Sequence, residues 1–490
     1  MRDGDADALT NAVAQATGDG DVIQVYPGTY DLSGMPMTTS VWNSAGTYCD
    51  TVGVGLKITM KNGALLGMGE RPEDTAIVCG GSNDAVRVMT FAGACVVSNL
   101  TISGGYVHHA GAWSVGAVCD DSNRGWAKFT DCLFTNNFAK RAGVLAKIKN
   151  PIVRCRFVDN MTRALHSNGG LTVRDSYFET GSYIVLDYDG ASFSNCVFTG
   201  CLGQILNTPV SNAKRVAIDC VFTNNAATKL FASSYLTNCL IACNGTLSGM
   251  QLADGGEFYN CDINSNTGGV LIANAAFYRC KLRDNRGGND WHAETPLLNS
   301  CKFYSSLLQG NAGPSGHTSM GVFAKNTSFY NCTVVSNYYR GSVGSYSITY
   351  GSSAVAVNTV FDGNGLYTYN KGEHYQTNEL TIVSCQDFSA KNMPKAMTNC
   401  FWTAQTGTVT NEFPDCGLKE SADFCFADPA KGDWTLRKSS VLFDAGWSDA
   451  AYLEDVGAKD LAGVKRVRGA AIDIGAYEID VKPGMVFIIR

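Results

Sequence analysis

One short motif returns along this chain at intervals that leave few architectures open. It reads Cys, any residue, a large apolar residue, two more residues, then Asn. Strict copies begin at Cys132, Cys155, Cys220, Cys239, Cys261, Cys280 and Cys332, with apolar partners Phe134, Phe157, Phe222, Ile241, Ile263, Leu282 and Val334. Their asparagines are Asn137, Asn160, Asn225, Asn244, Asn266, Asn285 and Asn337. Looser copies sit at Leu100/Ile102, Ser176/Phe178, Cys196/Phe198, Cys301/Phe303, Thr359/Phe361 (with Asn364) and Cys400/Trp402, about thirteen in all. From Cys132 to Cys301 the steps are 23, 21, 20, 24, 19, 22, 19 and 21 residues. A period this short excludes helical-hairpin repeats and fits a solenoid of strands. It also overrides the length prior, by which 490 residues would make several ordinary domains.

Within each copy the apolar residues stand two apart, the spacing of a strand with one buried face. Cys and Phe then point inward, and Leu133, Arg156, Val197, Val221, Asp262, Lys281, Lys302 and Thr333 point outward. Asn tolerates a left-handed backbone, so the Asn is expected to make the one-residue bend that ends the strand. Stacked at about 4.8 Å, in-register cysteines keep their Cβ atoms too far apart for a disulfide. Together with the lack of any CxxC pair, this makes the ladder cysteines buried, reduced small apolar residues. Outside the ladder, Cys416 and Cys425 could pair in an exported protein.

Stacked asparagines of this kind resemble the asparagine ladder of the pectate-lyase-like β-helices, over roughly residues 20 to 405. Near the far end, Asp460-Leu461-Ala462-Gly463-Val464-Lys465-Arg466 precedes Asp473-Ile474-Gly475-Ala476-Tyr477-Glu478. This resembles the D-x-x-G-x-x-R and DIGAYE closing motif of bacterial secreted and surface β-helix proteins. The resemblance implies an all-β fold, a single right-handed parallel β-helix, and engagement of polysaccharide. It implies no catalytic residue, since no lyase or polygalacturonase motif is reproduced. The expected division is an N-terminal capping helix over 1–20, a β-helix over 21–405 and a C-terminal capping region over 406–490. Ala8, Leu9, Ala12, Val13 and Ala16 share one face of the first helix, behind Asp3, Asp5 and Asp7 at its N-terminus. Arg466, Asp473 and Glu478 are expected to pair with one another or with backbone.

A net charge of −6 without a Lys/Arg run makes nucleic acid and anionic membrane poor partners. No apolar stretch approaches the roughly 18 residues of a membrane span. The opening residues lack the apolar core of a signal peptide, and the reading prefers a chain that starts after a removed leader, outside the cytoplasm.

Chemistry is expected where the repeat loosens. After Cys301 the steps lengthen to 31, 27 and 41 residues, and loops inserted at equivalent points of stacked rungs can wall a groove. Residues 286–296 bring Arg286, Asp290, Trp291, His292 and Glu294; 310–320 bring His317; 338–350 bring Tyr338, Tyr339, Arg340, Tyr346 and Tyr350. Residues 362–376 bring Asp362, Tyr367, Tyr369, Lys371, Glu373, His374 and Tyr375. Aromatic faces suit sugar rings, and Trp291, Arg340, Tyr367, Tyr369, Asp290 and Asp362 are the candidate binding residues. Glycoside hydrolysis needs two carboxyl groups about 5–9 Å apart, for which Glu294 and Glu373 stand first. β-Elimination needs a base, for which His292 and His374 stand first. His166 with Arg163, Asp187 and Asp189, and the pair His108-His109, form weaker patches. No cofactor is expected; acidic loop residues suit calcium chemically, but no motif specifies it. The competing expectation is a non-catalytic adhesin or glycan-binding β-helix.

Overall fold

The computed structural model describes residues 4–33, 37–42, 49–80, 86–107, 118–120, 127–139, 143–161, 164–167, 170–180, 185–187, 190–206, 215–227, 229–245, 251–268, 271–287, 297–313, 323–340, 349–367, 382–384, 394–403, 417–419 and 425–479. These form two compact units, residues 1–240 and 241–490. Among the described residues there are two α-helices, α1 (Ala6–Gln15) and α2 (Ala450–Val456), and many short strands. No helix among them is long and apolar enough to cross a membrane.

In the first unit the motif strands pair parallel and in register: Leu133 lies beside Arg156, then Tyr177, Val197 and Val221. A second parallel sheet runs through Lys128–Thr130, Ile152–Val153, Leu171–Arg174, Ala191–Ser194 and Arg215–Ile218. A third contains Val118–Asp120, Leu145–Ala146, Leu165–Ser167 and Val185–Asp187. Successive strands of the chain thus visit three sheets in turn and return one rung on. This is an all-β parallel β-helix.

Register puts like on like. Phe134, Phe157, Phe178, Phe198 and Phe222 stack with ring centroids 4.8, 4.9, 4.9 and 4.7 Å apart, the spacing of neighbouring strands. Every one is fully buried. At the start, Asp5 caps α1 by accepting the Ala8 amide at 2.9 Å, and Leu9 and Val13 bury its apolar face.

The bends correct one expectation. The left-handed residue stands one position before the column asparagine: Asn136 and Asp159 have φ near +54°, as do Ser265 and Asp284 in the second unit. A second left-handed residue precedes each motif Cys, as at Asp131, Arg154, Asn195, Asp219 and Asn238, and likewise Ser176, at Asp175. The column asparagine is instead buried and used for its amide. In the second unit the backbone N–H and the side-chain NH2 of Asn266 both donate to Asn285 Oδ1, at 3.0 and 2.9 Å. Asn285 does the same to Asn311, Asn311 to Asn337 and Asn337 to Asn364.

The cysteine column is also polar in its contacts. The amide of Cys261 donates to Cys280 Sγ at 3.4 Å, and that of Cys280 to Ser306 Oγ at 3.1 Å. Ser and Thr replace Cys here because the place needs a small side chain with one acceptor. The cysteines whose side chains are described are free thiols and all buried except Cys243. Burial pushes Cys301 and Cys332 up to about 12.

Ser306 corrects the repeat itself. Lys281 pairs with Leu307, and Leu307 with Thr333, so the copy after Cys280 is Ser306-Leu307-Leu308 with Asn311. Cys301-Lys302-Phe303 belongs to the second sheet, between Ala276–Tyr278 and Ser328–Tyr330. The two resemble one another in sequence because in this unit the phenylalanine stack runs in the second sheet, through Phe258, Phe277, Phe303 and Phe329. The corrected steps from Cys280 are 26, 26, 27 and 41 residues.

Residues 425–479 do not lie on the coil as further rungs. They pack on its outer side, where Leu307, Val335, Val360 and Phe401 meet Phe426, Trp434, Leu442, Ile474, Ala476 and Tyr477 in one apolar cluster. Thr333, expected to face solvent, is 1% exposed because Ala476 N donates to its hydroxyl at 3.0 Å. The segment also reads the left-handed bend residues: Ser305 accepts from Arg466, Asn331 donates to the Asp473 carbonyl, and Asn358 exchanges two bonds with the Trp447 backbone. Gly475, at φ +111°, is needed there, since a Cβ would stand 3.0 Å from Thr333 Oγ1. Beside this seam a column of outward tyrosines, Tyr259, Tyr278, Tyr304 and Tyr330, stacks at 4.7 to 4.9 Å. Tyr452 of α2 covers its Tyr330 end.

Candidate functional site

From Asn266 on, each column asparagine of the second unit is followed by a strand or bridge of a third sheet. Thr267 lies beside Arg286, Arg286 beside Ala312, Ala312 beside Tyr338 and Tyr338 beside Gly365. The asparagine column fixes this alignment, because the residue opening each strand donates its N–H to the carbonyl of the asparagine one rung before, as Arg286 does to Asn266 and Ala312 to Asn285, both at 2.8 Å. The intervening segments leave from the downstream ends of these adjacent strands. They are residues 269–270, 288–296, 314–322, 341–348 and 368–381. The loop-bearing side expected from the lengthened steps is thus rooted in one row of strand ends.

Two sequence candidates meet in this row. Arg340 ends the strand Tyr338–Arg340 and its register partner is Tyr367, the last residue of Gly365–Tyr367. Asp362 lies upstream, half-buried, across from Val335 in the motif sheet. Gly363, with a left-handed φ of +61°, and the column Asn364 separate it from Tyr367's strand. Asp290, Trp291, His292, Glu294, Tyr369, Glu373 and His374 lie outside the described residues, as does His317. In the first unit, His166 and Asp187 stand on adjacent strands, one place out of register; Arg163, Asp189, His108 and His109 lie outside the described residues.

One rung carries four cations on its outer side, of which only Arg286 lies in a segment where chemistry is expected from the sequence. Arg279, Lys281, Arg283 and Arg286 follow one another around the bends beside the row of strand ends. Arg279 Nε donates to Asn260 Oδ1 at 2.8 Å, and Arg283 pairs with Asp262 at 2.5 Å. Lys281 and Arg286 are exposed. Period-two spacing in Arg279-Cys280-Lys281-Leu282-Arg283 is the sequence signal for it, the three cations alternating with the buried Cys280 and Leu282. In a chain of net charge −6, such a rung offers planar and point-charge donors to hydroxyl, carboxylate or sulfate oxygens.

No protein-family model matches the chain, and no curated protein does. Similar solved structures include the A-module of a mannuronan C-5 epimerase from Azotobacter vinelandii, 14% identical over 83% of this chain and 98% of that one, with a TM-score of 0.32. A PL6 alginate lyase is 11% identical over 85% and 93%, at 0.33. A pectate lyase is 12% identical over 85% and 88%, at 0.23. None of these likenesses carries an activity to this chain.

Proposed function

We propose that this chain engages a polysaccharide along the third sheet of residues 241–490, and cleaves it as a lyase or glycoside hydrolase. The observation that supports the reading is the row of five aligned strand ends. The candidate-bearing segments 288–296, 314–322, 341–348 and 368–381 follow that row in the chain, and Arg340 stands beside Tyr367 within it. A row of loops across stacked rungs suits a linear polymer, because it repeats contacts along one direction. Under this reading Trp291, Tyr367, Tyr369, Arg340, Asp290 and Asp362 hold the glycan, while Glu294 and Glu373, or His292 and His374, carry the proton transfers. The cationic rung Arg279–Arg286 extends the surface. Work outside the cytoplasm, on an extracellular or cell-surface glycan, belongs to the same proposal.

A second reading, a non-catalytic adhesin or glycan-binding coil, is favoured by the regular exposed column of the first unit. There Arg154 bridges to Asp131 at 2.6 Å, Asn195 to Asp175 at 2.8 Å and Asn238 to Asp219 at 3.0 Å.

Incubation with neutral and acidic glycans, reading both reducing ends and the ultraviolet absorbance of an unsaturated product, separates the readings. New reducing ends alone identify a hydrolase, which Glu294→Gln or Glu373→Gln should silence. Absorbance identifies a lyase, which His292→Ala or His374→Ala should slow by roughly a hundredfold or more, the usual worth of a positioned acid–base group, and which Arg340→Ala should also slow. Binding without either product moves the assignment to the adhesin. Neither binding nor products would remove the polysaccharide reading.

A further inference from the structure

The C-terminal segment is held to the coil around an unusual group of charges. Asp460, Asp473, Glu478 and Arg466 are 0, 1, 7 and 3% exposed. Arg466 pairs with Glu478 and reaches across to Ser305 Oγ at 2.8 Å, on a bend of the coil. Asp473 accepts the amides of Asp444 and Ile479, both at 2.7 Å. Asp460 accepts those of Val464 and Glu478, at 2.6 and 2.7 Å. The Asp473 amide donates to Glu478 at 3.0 Å. Three buried carboxyl groups therefore share one buried guanidinium.

Fully ionised, this group would bury two uncompensated negative charges, and burial without compensation is expensive. A proton taken up by one carboxyl relieves it.

We infer that residues 442–479 form a proton-dependent latch, docked on rungs 305–358 when the carboxyl group shares a proton and loosened when all three acids are ionised. Glu478 is the group that takes the proton. Burial raises it from 4.5 to about 7 despite Arg466, and Asp473 beside it pushes the same way. Burial also raises Asp460 and Asp473, the latter with help from Asp444. Among the described residues, the charged and titratable groups facing the cluster are Arg466, Asp444, Asp460 and Asp473 from the segment itself. Tyr452 of α2, Tyr477 and the coil's Cys332 complete the set.

The sign follows from which state binds the proton. Docked Glu478 holds it between about pH 4.5 and 7, where an undocked glutamate has released it. Docking is then strongest below the undocked value, weakens as pH rises through that window, and is level above it. The docking constant should fall by up to roughly three-hundredfold across the window. What loosening uncovers is apolar: Leu307, Val335, Val360 and Phe401, with Tyr304 and Tyr330 beside them.

Hydrogen exchange read by mass spectrometry on the full chain, corrected for intrinsic exchange, tests this at about pH 5.5, inside the window, and about pH 8.5, above it. Peptides from 442–479 should lose protection at the higher pH while those from 101–135 hold theirs. In Glu478→Gln the slope with pH should flatten, whatever the absolute protection. Equal protection of the wild-type segment at both values overturns the latch, and so does an unchanged slope in Glu478→Gln. If that variant does not fold, the wild-type comparison alone decides.

Discussion

An asparagine amide has two N–H donors and one oxygen with two lone pairs, and the column uses all four. Asn285 Oδ1 accepts twice from Asn266, while its NH2 donates to the Ile263 carbonyl at 2.9 Å and to Asn311 at 2.8 Å. Nothing else of this size closes the same four bonds, which is why the position tolerates so little change inside the run. Asn285→Ala orphans the buried Asn266 amide and the Ile263 carbonyl. It should cost about 2–6 kcal/mol, from roughly 1–3 kcal/mol for each unsatisfied group. Urea unfolding measures this, with exposed Thr267→Ala, one place beyond Asn266, as the near-neutral control. The cysteine place is looser, because it needs only one acceptor: Ser306 and Thr359 stand in it directly.

Among elements, the segment 425–479 shows what a buried charge does when its partner is lost. Arg466→Met leaves the Glu478, Asp473 and Asp460 carboxyl groups buried without their cation. It should destabilise docking by about 3–5 kcal/mol, the usual consequence of breaking a buried pair from one side. The expected readout is proteolytic cutting within 425–479 at protease levels that leave the wild type intact. Arg466→Met with Glu478→Met should recover part of that loss, since matched apolar replacement removes one charge from each side. The docking of this segment had a sequence signal that period-two reading passes over. Outward places occupied by Asp262 and Lys281 upstream become Leu307, Thr333, Val360 and Phe401, and a surface turning apolar is a surface about to be covered. Strand identity, inward face and parallel pairing could be read from the motif alone, because they rest on local periodicity. The assignment of Cys301 could not, because small-x-Phe occurs in two sheets of the same rung. Only the asparagine five places on, present after Ser306 and absent after Cys301, separates them. Candidate site residues were harder still: loop composition names chemistry, but only register, as for Arg340 and Tyr367, says which residues are neighbours.

At the scale of the molecule, both units obey one set of rules with different fillings. Residues 1–240 stack phenylalanine in the motif sheet, through Phe134 to Phe222; residues 241–490 stack it in the second sheet and fill the motif sheet with Ile263, Leu282, Leu308 and Val334. Because each rung presents its neighbours with the same column of amides, small acceptors and stacked side chains, a rung is an interchangeable part. Removing residues 262–280 joins Cys261 to Lys281 and brings Asn244 against Asn285. The shortened chain should fold, with a thermal midpoint within about 5 °C of the parent, since stability in such arrays is nearly a sum over rungs and their interfaces. Collapse into an aggregated product would count against that additivity. For a lineage of such chains, the consequence is that length is cheap to vary. Unequal crossing-over between gene copies can splice out or insert whole turns, and the reading frame of the structure is kept by the asparagines rather than by any distant contact.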